Sequence, residues 1–169
     1  MRRIVGIDPG SRSTGVCVLK ASQLSWDLET TRTFVSASKL ERPYRLKTLL
    51  ERLDAFFGSY KKELDLAVVE AGAVGRFAKA ALVVSEARGI ALAVAARYVP
   101  QVREVTVQEA RKVLGIASFG QRRDEGKAAV RRALGIVFGD KRVAALREDE
   151  ADAAALAWWG LFALSGTNR

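Results

Sequence analysis

Apolar and polar positions alternate between two periods along this chain, and the switches between them lay out an α/β order. Residues 3–8 and 14–20 are apolar stretches of β-branched character and predict two strands, with Pro9-Gly10 through Gly15 as the hairpin between them. A third strand is predicted over 29–36, with Trp26 near its start. From Pro43 to Lys61 the period becomes helical. Leu46, Leu49, Leu50, Leu53, Phe56, Phe57 and Tyr60 recur on one face there, with Arg45, Lys47, Glu51, Arg52 and Asp54 largely opposite. Leu66-Ala67-Val68-Val69-Glu70 predicts a short buried strand ending in an acid. An Ala-rich helix is expected over 77–97, broken by Pro100, and a further strand over 103–107. Helix is expected again over 107–114, then a Gly-bounded segment from Gly115 to Gly126. Asp124 is the expected cap of a helix running to Leu134. The last helix is expected from 147–149 to Leu164.

Hairpins first, then strands mixed with helices, predict an α/β fold: a mixed central sheet of about five strands flanked by helices. The pattern holds no internal repeat, low-complexity tract or interdomain linker, and residues 1–169 are expected to form one domain with a substantial core. In helix 77–97 the small residues Ala80, Ala81, Ala87, Gly89, Ala91, Ala93 and Ala95 permit close packing on the sheet, and a homodimer contact through part of that surface is expected.

Composition narrows the function. The formal net charge is +9, which points to a polyanionic partner, most often nucleic acid, although surface solubility is the plainer explanation. No histidine is present, so His-based general bases and His-ligated zinc are excluded. Cys17 is the sole cysteine; it can form no internal disulfide and is expected to be a small core residue. Arg2-Arg3 is followed by too short an apolar run for a secretory signal, and the Ala153–Leu164 run is too short to span a bilayer, so a cytoplasmic protein is expected, with a viral or organellar origin left open.

The acids carry the candidate chemistry. Asp8 closes the first strand and Glu70 a later one, while Asp149 and Asp152 lie three apart at the start of an apolar helix and so share a face. Carboxylates arriving from separate elements repel one another in a shared pocket, and a hard divalent cation relieves that repulsion. Two such ions activate water and stabilise a phosphoryl group in transfer. Each acid also has a plain reading. Asp149 and Asp152 favour the helix dipole, as do Glu148 and Glu150; Glu70 pairs with a base such as Arg76; Asp8 accepts hydrogen bonds in its turn.

Taken together, Gly6-Ile7-Asp8-Pro9-Gly10-Ser11-Arg12-Ser13-Thr14-Gly15, Val68-Val69-Glu70 and Asp149-Glu150-Ala151-Asp152 followed by its alanine run resemble the RuvC-type Holliday-junction resolvases of the ribonuclease H-like superfamily. The resemblance implies a homodimer that nicks two opposed strands of a four-way DNA junction, leaving 5′-phosphate and 3′-hydroxyl ends. It implies Asp8, Glu70, Asp149 and Asp152 as ligands of two Mg²⁺ or Mn²⁺ ions. It places the family's lysine near the scissile phosphate at Lys127, and a second basic position at Arg111 or Lys112. The chain departs from the family after Glu70: where a Gln and aromatics are usual it has Ala71 to Gly75, with Phe77 the first aromatic, either a junction wedge or a core side chain.

The expected nucleic-acid contacts are Arg76, Phe77, Lys79, Arg111, Lys112, Phe119, Arg122, Arg123, Lys127 and Arg131, with a solvated charged face as the alternative. Lys127 and Arg131, four apart, share a helical face. Three other functions compete with a structure-selective endonuclease. A YqgF-like protein acts on structured RNA; a non-catalytic module binds nucleic acid without cutting; a sugar-kinase or actin-like domain binds phosphate in an Asp-x-Gly-Ser loop, but needs a duplicated second domain that this chain lacks.

Overall fold

The structure is a computed structural model. It describes residues 1–22, 25–37, 39–60, 63–72, 78–116 and 123–166. The first three strands, β1 (Arg2–Asp8), β2 (Ser13–Ala21) and β3 (Trp26–Val35), form an antiparallel meander. Helix α1 (Arg42–Ser59) leads to β4 (Leu66–Glu70), and α2 (Ala78–Tyr98) to β5 (Val102–Val105). Both β4 and β5 run parallel to β1, giving a mixed sheet in the order β3-β2-β1-β4-β5 among the described residues. The short helix α3 (Val107–Val113), then α4 (Arg123–Phe138), α5 (Asp140–Ala144) and α6 (Glu148–Gly166) complete the chain.

Strand alternation sorts the side chains onto two faces. Val5, Ile7, Val16, Val18, Ala67 and Val69 pack under α1 and α2, against Leu49, Leu53, Phe56, Phe57 and Val94. Ile4, Cys17, Leu19, Leu66 and Val68 point the other way, into a core closed by α6 and by parts of α3, α4 and α5. Cys17 is fully buried there, and burial pushes its thiol pKa up, as suits an inert core residue.

The α6 side is packed unusually closely. A Cβ on Gly6 would stand 1.9 Å from the Ala153 carbonyl oxygen, and one on Gly15 would stand 2.0 Å from that of Asp149. The helix therefore lies backbone against backbone on β1 and β2, with Ala153, Ala154 and Ala157 wholly buried. The two glycines of the N-terminal motif thus serve the helix as much as the turn. Gly15 belongs to β2, not to the hairpin; Thr14 holds the turn, its hydroxyl donating to the Gly10 carbonyl at 3.3 Å and accepting from the Gly10 N–H at 3.4 Å.

Several boundaries differ from expectation. The strand expected over 103–107 ends at Val105, because Thr106 caps α3 in a reciprocal box with Glu109. Helix α4 starts at Arg123, so Asp124 lies inside it and does not precede it as a cap. The same helix continues past Leu134 to Phe138 and stops at Gly139, whose φ of +91° suits glycine. Helix α5 was not expected at all. Leu50 turns outward, 44% exposed, although the other core-side leucines of α1 turn inward or partly so. In α2 the small residues divide: Ala87, Ala91 and Ala95 are buried, while Gly89 and Ala93 face outward. No helix among the described residues is long and apolar enough to cross a membrane.

Candidate active site

Asp8 and Glu70 end neighbouring parallel strands, one step beyond the paired residues Ile7 and Val69. By the alternation of side chains both belong to the α6 face. Across the other edge of β1, Asp8 pairs with Gly15, and the bare α-carbon of Gly15 is what admits the first turn of α6 with Asp149. Asp152 follows one turn later. Three separate elements thus deliver four carboxyl groups to one end of the sheet.

Their proximity is electrostatic as well as topological. The Asp8 carboxyl is pushed up to about 9. Burial is the main cause, followed by a hydrogen bond with Glu70 and then by the negative charges of Glu70, Asp152 and Asp149. Asp152 is also raised, chiefly by burial; the charges of Glu70 and Asp149 add to this, while Lys127 and Arg111 oppose it. In the turn after Asp8 it is Thr14 that makes the described side-chain bonds, and Glu70 is engaged with Asp8. Its suggested partner Arg76 lies outside the described residues.

The start of α6 separates acids with different tasks. Glu150 does the capping: its carboxylate accepts the Arg147 backbone N–H at 2.9 Å and the Thr33 hydroxyl at 3.2 Å. Glu148 forms an ion pair with Lys127. Asp149 and Asp152 are left facing the strand ends.

Among the described residues no three acidic groups already stand together as a ready ligand cage. They are neighbours within mutual electrostatic reach. Four carboxylates with no nitrogen or sulfur donor beside them match the oxygen preference of a hard divalent cation, and raised acid pKa values are what such a cation reverses. The donor set fits Mg²⁺ or Mn²⁺.

Two bases approach the acids. Lys127 comes from α4. Arg111 comes from α3, lining a small enclosed space with Glu70, Asp152, Val107 and Val130. The Arg111 guanidinium lies against Gly126, where a Cβ would stand 2.7 Å from it, and its Nε is buried with no hydrogen-bond partner among the described residues. Lys112 is exposed on the other side of α3, so Arg111 is the base that faces the acids. Arg131 is four residues from Lys127 but committed elsewhere: its guanidinium donates to the carbonyls of Val143 and Leu146, at 3.2 and 2.9 Å, and ties α5 to α4. Phe77, Arg76, Phe119 and Arg122 lie outside the described residues. Lys79 and Arg123 lie in α2 and α4, and their side chains are not among those described.

Two side chains near the acids carry no mark in the local pattern. Arg88 of α2 packs on Gly72, two residues beyond Glu70, and approaches Glu104 of β5 at 3.6 Å. Glu148 looks like a helix-end acid until its partner is known. Its position one turn before Asp152 was the available signal.

The sequence model of the family described as Crossover junction endodeoxyribonuclease RuvC matches residues 4–158. A protein of that description from Trichlorobacter lovleyi is 32% identical over 157 residues, covering 92% of this chain and 82% of its own. One from Rhizobium johnstonii is 37% identical over 115 residues, 68% of this chain and 67% of its own. Among solved structures, Thermus thermophilus RuvC in complex with a Holliday junction substrate superposes with a TM-score of 0.80 at 20% identity, covering 98% of this chain and 97% of that one. The fowlpox virus resolvase, with substrate Holliday junction DNA, superposes with a TM-score of 0.56 at 11% identity, over 96% and 98%. These likenesses carry the ribonuclease H-like fold, and the sequence match carries the family. The chain belongs to the RuvC family of crossover junction endodeoxyribonucleases.

Proposed function

We propose that this endonuclease resolves four-way DNA junctions by paired nicks, with divalent cations held by Asp8, Glu70, Asp149 and Asp152. The convergence of these acids carries the reading: a buried Asp8 bonded to Glu70, beside two further acids, is costly unless a cation is to be held there. When bound, Mg²⁺ or Mn²⁺ supplies activation of water and stabilisation of charge on the phosphoryl group, and a pair of ions serves both sides of an in-line displacement.

The chain's own residues do the rest. Asp8, the most strongly shifted of the acids, would be the central carboxylate holding the cation. Glu70 and Asp152 flank it from β4 and α6, and Asp149 from the first turn of α6. Lys127 meets the phosphate as a flexible point charge. Arg111, held against Gly126, offers fixed positive potential from the opposite wall. The pair of nicks calls for two such sites, hence two copies of the chain, and the whole of 1–169 acts as one nuclease domain. Helix α2 suits the contact between copies, since its Leu82 is 63% and Val84 39% exposed. A DNA substrate makes the cytoplasm the place of work. The net charge of +9 supports phosphate contacts, and junction affinity is expected to fall steeply with added salt.

The test offers labelled four-way junctions, duplex, flap and single-stranded DNA, and structured RNA, with Mg²⁺, Mn²⁺ or chelator. Symmetric paired nicks near the crossover, absent with chelator, are the expected result. Uniform cutting of all substrates would make the protein a general nuclease, and preference for structured RNA would make it an RNA-processing enzyme.

A further inference from the structure

The ammonium of Lys127 is shared between two acids on α6. It pairs with Glu148, and its charge also acts on Asp152. Glu148 and Asp152 are four residues apart and so lie on one helix face, a turn from each other. They differ in setting. The Glu148 side chain is 58% exposed, at the rim of the site. Asp152 is part-buried and belongs to the acid cluster. Lys127, only 21% exposed, reaches Glu148 from α4.

A lysine is a point charge on a flexible four-carbon stem, and it settles on whichever anion is in reach. With Glu148 removed, Asp152 is the acid of the cluster on which the Lys127 charge already acts. An ammonium seated on Asp152 cancels charge that a divalent cation needs and withdraws from the phosphate side. Arg111 needs no such restraint, because its guanidinium is already wedged against Gly126 with its Nε buried.

We propose that Glu148 is a positioning residue for the reaction: it holds the Lys127 ammonium at the rim, off Asp152, leaving that carboxylate free for the cation and the lysine turned toward the scissile phosphate. The proposal rests on the reading of Lys127 as the phosphate-side base and of Asp152 as a metal ligand. The bland role for Glu148, an acid favouring the helix dipole, involves no Lys127 and no metal.

A double-mutant cycle separates these roles. Glu148→Gln, Lys127→Met and the double variant are compared in the full chain, by junction cleavage at saturating junction and by calorimetric titration with Mn²⁺ alone, without DNA. Glu148→Gln is expected to lower kcat and to weaken Mn²⁺ binding each by about tenfold, with junction affinity within about twofold of the parent. On the Lys127→Met background the same change should alter Mn²⁺ binding by less than about twofold. Glu148→Asp, which keeps the helix-end charge, should recover most of the loss. Equal weakening of Mn²⁺ binding on both backgrounds overturns the proposal, since Glu148 would then act directly on the cation. A silent Glu148→Gln beside a damaging Lys127→Met also overturns it, yet leaves the reading of Lys127 standing. A silent Lys127→Met removes that reading and the proposal with it.

Discussion

The two faces of the sheet are held by different kinds of contact. Under α1 and α2, bulky side chains separate the backbones: Leu49, Leu53, Phe56, Phe57 and Val94 fill the space above Val5, Ile7, Val16 and Val18, with Phe34, Phe56 and Phe57 meeting edge to face. On the α6 side backbone meets backbone, through Gly6 and Gly15 on the strands and an alanine run on the helix. A core of large side chains relaxes when one is trimmed, whereas two touching backbones have nothing to yield. The acids hang from the second face. The fold thus fixes its chemistry where helix and sheet touch with the least slack, although Leu19, Leu66, Leu134 and Trp158 pack large side chains on that side as well.

The largest expected effect is at the acids themselves. Asp8→Asn should lower the rate of junction cleavage by about a thousandfold or more while junction binding persists, as measured by single-turnover cleavage beside a gel-shift titration. Loss of binding together with cutting would show that Asp8 organises the DNA surface and is not purely catalytic. Next comes the close contact. Gly15→Ala places a Cβ 2.0 Å from the Asp149 carbonyl oxygen, so α6 must move and carry Asp149 with it. A shift of an ångström at a catalytic group costs about a hundredfold in rate. The kcat of Gly15→Ala should therefore fall by about that factor, out of proportion to its effect on melting. Leu53→Ala on the opposite face should do the reverse. It opens a cavity costing about 2–5 kcal/mol, read from denaturant titration, with kcat within about threefold of the parent. Similar ratios of activity to stability loss in the two variants would erase the distinction between the faces.

How much of this the sequence disclosed follows the same division. Strands and long helices were legible because their apolar periods run for several turns, and β1, β2, β4, α1, α2 and α6 lie within a few residues of expectation. The order strand-Asp, strand-Glu, helix Asp-x-x-Asp marked the four acids, since period alone predicts which face each occupies. Partnerships across the fold were not legible. That Arg111 and not Lys112 faces the acids depends on the rotation of α3, which the Thr106–Glu109 box sets. That Arg131 serves α5 required knowing that α5 exists, and its five residues are too short to show a period. Glu148 and Glu150 are indistinguishable as helix-end acids until Lys127, Thr33 and the Arg147 N–H are placed around them. Gly6 and Gly15 read as strand and turn glycines because nothing local announces a helix arriving from the far end of the sequence.

The smallest effect is a pH dependence confined to the α6 face. The Asp8 carboxyl rises from its ordinary 3.8 to about 9 in the folded protein, through burial first and then the bond and charge of Glu70. Between those values the folded protein holds the proton more tightly than the unfolded chain does. The stability this group contributes is therefore fully present below about pH 4 and lost as pH rises through about 9. Asn at this position cannot ionise and keeps a hydrogen bond for Glu70, so Asp8→Asn should lack that slope. In chelator the two proteins should melt together near pH 4 and diverge as pH rises, the variant melting at the higher temperature by pH 9. Asp152, also raised chiefly by burial, contributes a slope of the same sign in both proteins. Adding Mg²⁺ at high pH should narrow or reverse the gap, because a cation stabilises the ionised parent and finds one ligand fewer in the variant. Parallel melting curves across the range would mean that Asp8 ionises freely in the folded protein, and the α6 face would then carry no stored electrostatic cost for a cation to relieve. Leu53→Ala serves as the control: its melting temperature should sit below the parent's by a constant interval at every pH, since no charge on the α1 face changes.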